Sequence, residues 1–146
     1  MRLLPALLIF LGCAAAQAEA RQLVLVTSTP ELQQAQLSRK EIRKLFLGRS
    51  VFKNGTQVVP VINESDPLAY QIFLQRVILM SAASYERHLL SRVFRRGGRR
   101  PVKLASIRRL GELLRGQPGT VSYMWLDEVR SDPRLLVLDQ LWEGEP

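Results

Sequence analysis

The chain reads as a single α/β domain in which short apolar strands alternate with amphipathic helices. Three observations carry that reading. β-Branched apolar runs stand at residues 22–27, 57–62, 120–125 and 135–138, each of strand length and bounded by polar or turn-forming residues. Between them, apolar residues recur at three- and four-residue spacing, as an amphipathic helix requires. The 146 residues are 47% apolar and 23% charged, the balance of a globular domain that buries one core.

The first strand, QLVLVT at 22–27, is apolar on both faces and is expected to be buried. The next helix is announced by Leu37-Ser38-Arg39-Lys40-Glu41. Ser38 and Glu41 form an S-x-x-E capping box, and Leu37 and Ile42 stand at the hydrophobic-staple positions. Ile42, Leu45 and Phe46 supply the buried stripe and Gly48 ends the helix. Asn54-Gly55 predicts a turn before the strand QVVPVI at 57–62, in which Pro60 predicts an edge or a bulge. Residues 66–80 are expected to form a well-buried helix, with Asp66 as N-cap and Pro67 in the first turn.

Ser81-Ala82-Ala83-Ser84 interrupts that helix. A further one is expected to turn Tyr85, Leu89, Val93 and Phe94 inward and Arg87, Arg92, Arg95 and Arg96 outward, until Gly97-Gly98 breaks it. Ser106 caps a short helix with Ile107, Leu110 and Leu114 facing in, closed by Gly116 and Pro118. The strands TVSYMW at 120–125 and 135–138 follow, and the sequence holds no repeat and no low-complexity linker.

Residues 1–20 read as a secretory signal. Met1-Arg2 is a short basic start, Leu3 to Gly12 is an apolar run, and small residues place cleavage near Ala18 or Ala20. The run is too short to span a bilayer, and no later stretch is long and apolar enough. Lipid attachment at Cys13 is the lesser alternative, because Phe10 stands where a lipobox prefers Leu. The expectation is a periplasmic or secreted domain over 21–146, and the only cysteine leaves with the signal.

One cysteine excludes an internal disulfide, and one histidine excludes an ordinary His/Cys zinc site. His88 would have to serve any nucleophilic triad, yet it reads as a surface or half-buried helix residue. Glu64 and Asp66 could pair for acid–base work, but Asp66 has the capping role to fill. The sequence therefore points to no enzyme, no cofactor and no metal.

The charge is lopsided, with 21 Lys and Arg against 13 Asp and Glu. Arg92, Arg95, Arg96, Arg99, Arg100 and Lys103 form the centre of a basic run, interrupted by two glycines. Guanidinium forks there could meet phosphate or carboxylate groups, or the run could be a solvated face. Export argues against nucleic acid and toward an acidic protein or an envelope polyanion. No G-x-x-x-x-G-K-[ST] phosphate loop is present.

From Leu23 to Trp125 the chain resembles the second lobe of periplasmic phosphate-binding proteins of ABC transporters, and more closely the short single-lobe exported proteins grouped with them. The resemblance rests on VLVTSTP, then LSRKEIRKLFLGRSVFKNGTQVVPV, an acid-bearing loop leading to a helix with Phe73, then Phe94, Gly98 and Pro101, and last PGTVSYMW. It implies one lobe of a type II periplasmic-binding-protein fold, a mixed sheet flanked by helices. It also implies an oxyanion gripped by an arginine after the central strand and by a Ser-Gly-Thr at the next helix start. Those positions are Asn63 and Pro67-Leu68-Ala69 here, so the signature ligands are replaced. Asn63 carries no charge, Pro67 has no N–H, and Leu68 adds a side chain where glycine allows close approach.

Two expectations follow. At the family level the domain is a solute-binding protein for phosphate or another small oxyanion, with Asn63, Ser65, Asp66 and Ala69 in the equivalent loop. The alternative is a degenerate lobe that meets a macromolecular partner through its Arg-rich face.

Overall fold

The computed structural model describes residues 20–145. The expected signal segment, including Cys13, lies outside the described residues apart from Ala20. Five strands form a mixed sheet in the order β5–β4–β6–β1–β7: β1 Arg21–Thr27, β4 Val59–Asn63, β5 Val102–Leu104, β6 Thr120–Trp125 and β7 Leu136–Gly144. β4 runs parallel to β5 and β6, whereas β1 is antiparallel to β6 and β7. β2 Phe52–Lys53 and β3 Thr56–Gln57 make a separate hairpin about the Asn54-Gly55 turn.

Helices cover both faces of the sheet. On one side α2 Arg39–Phe46, α3 Pro67–Phe73 and α4 Ala82–Arg96 pack Phe46, Phe73, Tyr85 and Leu89 against Leu23, Leu25, Ile62 and Tyr123. On the other side α5 Ile107–Gly116 and α6 Leu126–Arg130 bury Leu110, Leu114 and Val129 against Val24, Val26, Val61 and Met124. The first core is centred on three rings: Phe73 stacks on Tyr123 at 4.0 Å and meets Phe46 edge-on at 4.9 Å. Each such pair contributes about 0.5–1.5 kcal/mol beyond its buried area.

The local signals act as their chemistry dictates. Ser38 Oγ accepts the Glu41 N–H, and the Glu41 carboxylate accepts the Ser38 N–H at 2.9 Å, closing the capping box. Lys53 Nζ also lies 2.7 Å from Glu41; that contact and the Ser38 N–H lower the carboxyl pKa to about 2. β4 is an interior strand, yet Pro60 fits it. The Val59 N–H faces β6, where it bonds to Gly119 O, so the ring nitrogen of Pro60 faces the opposite side, one residue before β5 begins to pair at Val61.

Several expectations need correction. The helix begun at Pro67 loosens into a π turn over Leu74–Ile78 and stops at Leu79, whose φ is +60°. The extra residue lets Leu74, Val77 and Ile78 all face the core. The strand read over 57–62 divides at Val58, and the last strand runs on to Gly144. α1 Pro30–Ala35 and α6 were not foreseen. Phe94 is 80% exposed and Ile107 39%; Phe94 stands five residues after Leu89, on a different face of α4 from the one that buries Tyr85 and Leu89.

Gly119 sits at φ +85°, donates its N–H to Thr29 Oγ1, and leaves only 2.6 Å between a built Cβ and the carbonyl oxygen of Gln57. Gly119→Ala should therefore destabilise the protein by about 2–3 kcal/mol, read as a lowered midpoint in thermal or urea unfolding. An unchanged midpoint would mean that the β6 entry relaxes freely.

Candidate functional site

The loop from β4 to α3 lies at the carboxyl end of the parallel strands, where open α/β sheets bind ligands. Its polar groups are already engaged. Asn63 is buried: Nδ2 donates to Tyr123 O at 2.9 Å, and Oδ1 accepts from Ser65 N at 2.9 Å and Ser65 Oγ at 2.6 Å. The Tyr123 hydroxyl returns a bond to Asn63 O at 2.8 Å. Burial pushes the pKa of that hydroxyl well up, so it stays a donor.

Asp66 closes the helix end. Its Oδ1 accepts the N–H of Leu68 at 2.8 Å and of Ala69 at 3.3 Å, while Oδ2 accepts Trp125 Nε1 at 2.8 Å. Pro67 has no N–H to add. Arg21 lies over the Trp125 ring at 3.8 Å. Burial pushes the Asp66 carboxyl up, but the Trp125 and backbone donors, with Arg21 nearby, outweigh it and hold the pKa below the ordinary aspartate value. The protein's own carboxylate thus occupies the donors at the start of α3.

The basic run divides in space. Arg100 and Lys103 both pair with Glu86, and Lys103 also approaches Glu64 at 3.6 Å. Arg92 donates Nε to Gly48 O at 2.8 Å, tying α4 to the end of α2. Arg95, Arg96 and Arg99 are exposed, with no carboxylate partner among the described residues.

A second basic feature escaped sequence reasoning. An open groove of about 420 Å³ between α2 and α4 is lined by Lys40, Arg43, Lys44, Leu47, Arg49 and His88. No carboxylate lines it. Tyr85 OH donates to Phe46 O at 2.5 Å and His88 Nε2 donates to Leu47 O at 3.1 Å, so both bonds hold α4 against the last turn of α2. Arg43 Nε caps Ile78 O at 3.1 Å. Lys40, Lys44 and Arg49 stay exposed beside it, without acidic partners among the described residues. The available signal was Lys40 and Lys44 at i, i+4 on the solvent side of α2; the contribution of His88, over forty positions away, was not readable.

Among the described residues no group of three His, Cys, Asp or Glu side chains converges as a metal site, and no helix is long and apolar enough to cross a membrane.

No family model matches the chain, and no curated protein matches it. Among solved structures it resembles the crystal structure of PstS from Borrelia burgdorferi, with a TM-score of 0.59 at 13% identity. The match covers 82% of this chain and 47% of that one, so the chain spans less than half the length of the protein it resembles. The likeness establishes the fold: a mixed sheet flanked by helices, shared with about half of that structure.

Asp66→Ala removes a helix cap and leaves Trp125 Nε1 without its acceptor, which should cost about 1–2 kcal/mol in unfolding experiments. Because the folded-state pKa of Asp66 is lowered, its stabilisation is complete above the ordinary aspartate pKa and is lost as pH falls through the folded value. Glu41 acts likewise between about pH 4.5 and 2. Acid titration of the wild type should show a steeper loss of stability below pH 4 than the Asp66→Ala variant; parallel curves would remove Asp66 from that role.

Proposed function

We propose that this lobe is an exported, non-catalytic binding module that takes an oxyanion-bearing ligand on the α2–α4 groove rather than at the β4–α3 loop. The carrying observation is the groove itself, where four cationic side chains and His88 converge with no carboxylate among them. A phosphate or carboxylate there would gain charge-assisted bonds from Lys40, Lys44 and Arg49 while Arg43 Nε and His88 Nε2 keep their carbonyl partners. At the loop it would have to displace Asp66 from Leu68, Ala69 and Trp125. Asn63 could not turn to it without leaving Tyr123 O and Ser65 unpaired. The resemblance to PstS supports the solute-binding ancestry of the lobe, and the signal-like residues 1–20 support export.

The groove is wide and open, so the fitting ligand is an extended or multiply charged anion, such as a polyphosphate, a phosphorylated glycan or an acidic peptide, as well as inorganic phosphate at lower affinity. A thermal-shift titration with phosphate, sulfate and tripolyphosphate at about 0.15 M salt tests this. A ligand at 100 times its dissociation constant adds about 2.7 kcal/mol, on the order of 10 °C in a domain of this size. The shift should be saturable, fall with added salt, and disappear in the triple variant Lys40→Ser, Lys44→Ser, Arg49→Ser. A shift that survives there but is lost in Ser65→Ala would return the ligand to the β4–α3 loop, and flat curves throughout would refute anion binding at the groove.

A further inference from the structure

Leu90 and Phe94 are 47% and 80% exposed and lie four residues apart on α4, so they share a face. Ala83 and Arg87 continue the same stripe toward the helix start. This face is not the one α4 uses for packing, which buries Tyr85 and Leu89, nor the one it turns to the basic groove, which includes neither Leu90 nor Phe94. Glu86, one turn before Leu90, holds Arg100 and Lys103, so residues 97–101 fold back alongside the stripe. Gly97 and Gly98, both at positive φ with open space around them, permit that reversal.

Arg87 shares the stripe with the two apolar side chains, Arg95 and Arg99 follow Phe94 in the chain, and all three are exposed with no carboxylate partner among the described residues. The occupant of such a face must be anionic and must also accept shallow insertion of an aromatic and an aliphatic side chain. We propose that this face docks on an anionic lipid bilayer. Phe94 and Leu90 enter the headgroup boundary, and Arg87, Arg95 and Arg99 meet lipid phosphates. None of these residues lines the α2–α4 groove, so the proposal does not depend on what the groove binds.

Cosedimentation of the full chain with phosphatidylcholine vesicles containing about 30% phosphatidylglycerol tests this against pure phosphatidylcholine. The wild type should bind the anionic vesicles only. Each arginine near an anionic surface is worth about five-fold, so Arg87→Ser, Arg95→Ser, Arg99→Ser together should weaken binding about a hundred-fold. Phe94→Ser should weaken it about ten-fold. Because these residues are exposed, the unfolding midpoint should stay in place in each variant, the control that the variants are folded. All the chains carry the same apolar run at residues 3–12, so differences between them belong to α4. Equal binding by wild type and variants, equal binding to neutral vesicles, or wild type that stays in the supernatant while retained by immobilised polyglutamate would each overturn the proposal. A Phe94→Ser chain that keeps its anion-induced thermal shift separates failure here from failure of the groove reading.

Discussion

Strand β6 is the constraint from which the rest of the structure follows. All six residues from Thr120 to Trp125 are buried, so both faces of the sheet must be covered and both edges of the strand must be paired. β1 takes one edge antiparallel and β4 the other parallel, and the helices divide between the two faces. Apart from Thr120 Oγ1, which is buried without a partner, the polar side chains of so buried a strand are paired inside the protein. Ser122 donates to Val61 O at 2.7 Å, Tyr123 to Asn63 O, and Trp125 Nε1 to Asp66, so three of its side chains tie it to β4 and the loop after it. The same bonds that satisfy the strand occupy the loop. In a lobe of this architecture, the natural ligand position at the strand ends is filled by the needs of the core.

The occupied loop shows how far the sequence was legible. Asp66 as a cap with Pro67 behind it was readable, because both residues act within one turn of the chain. The capping box at Ser38 and Glu41 was readable for the same reason. Trp125 as a third donor to Asp66 was not, since it stands 59 positions away. α1 and α6 carry too few turns for a periodic pattern to show, and packing holds them in place. Phe94 was expected inside because it adjoins Val93, but the buried side of α4 is set by Tyr85 and Leu89, and Phe94, five residues on, falls outside that stripe. The basic groove is a wholly tertiary object, assembled when Tyr85 and His88 seize the carbonyls that end α2.

Charge placement completes the picture. Acids and bases are matched around β7, α5 and the β5 edge: Arg39 with Asp139, Arg108 with Glu112, Arg115 with Asp132, and Arg100 and Lys103 with Glu86. Lys40 and Lys44 of α2, and Arg95 and Arg96 at the end of α4, have no such partners among the described residues. An unmatched cluster costs stability through self-repulsion, although exposed charges beyond about 8 Å are largely screened at physiological salt. Solubility alone does not explain it, because interspersed signs of charge would serve solubility without that repulsion. Nor does packing, since Lys40, Lys44 and Arg95 are exposed and far from the apolar cores. What the cluster provides is a set of cations, unpaired among the described residues, on α2 and the end of α4, the helix that leaves Phe94 uncovered. In a fold whose strand-end loop is closed by its own carboxylate, the cations left without partners stand on the outside of the helices, which is where the proposed reading places the anion.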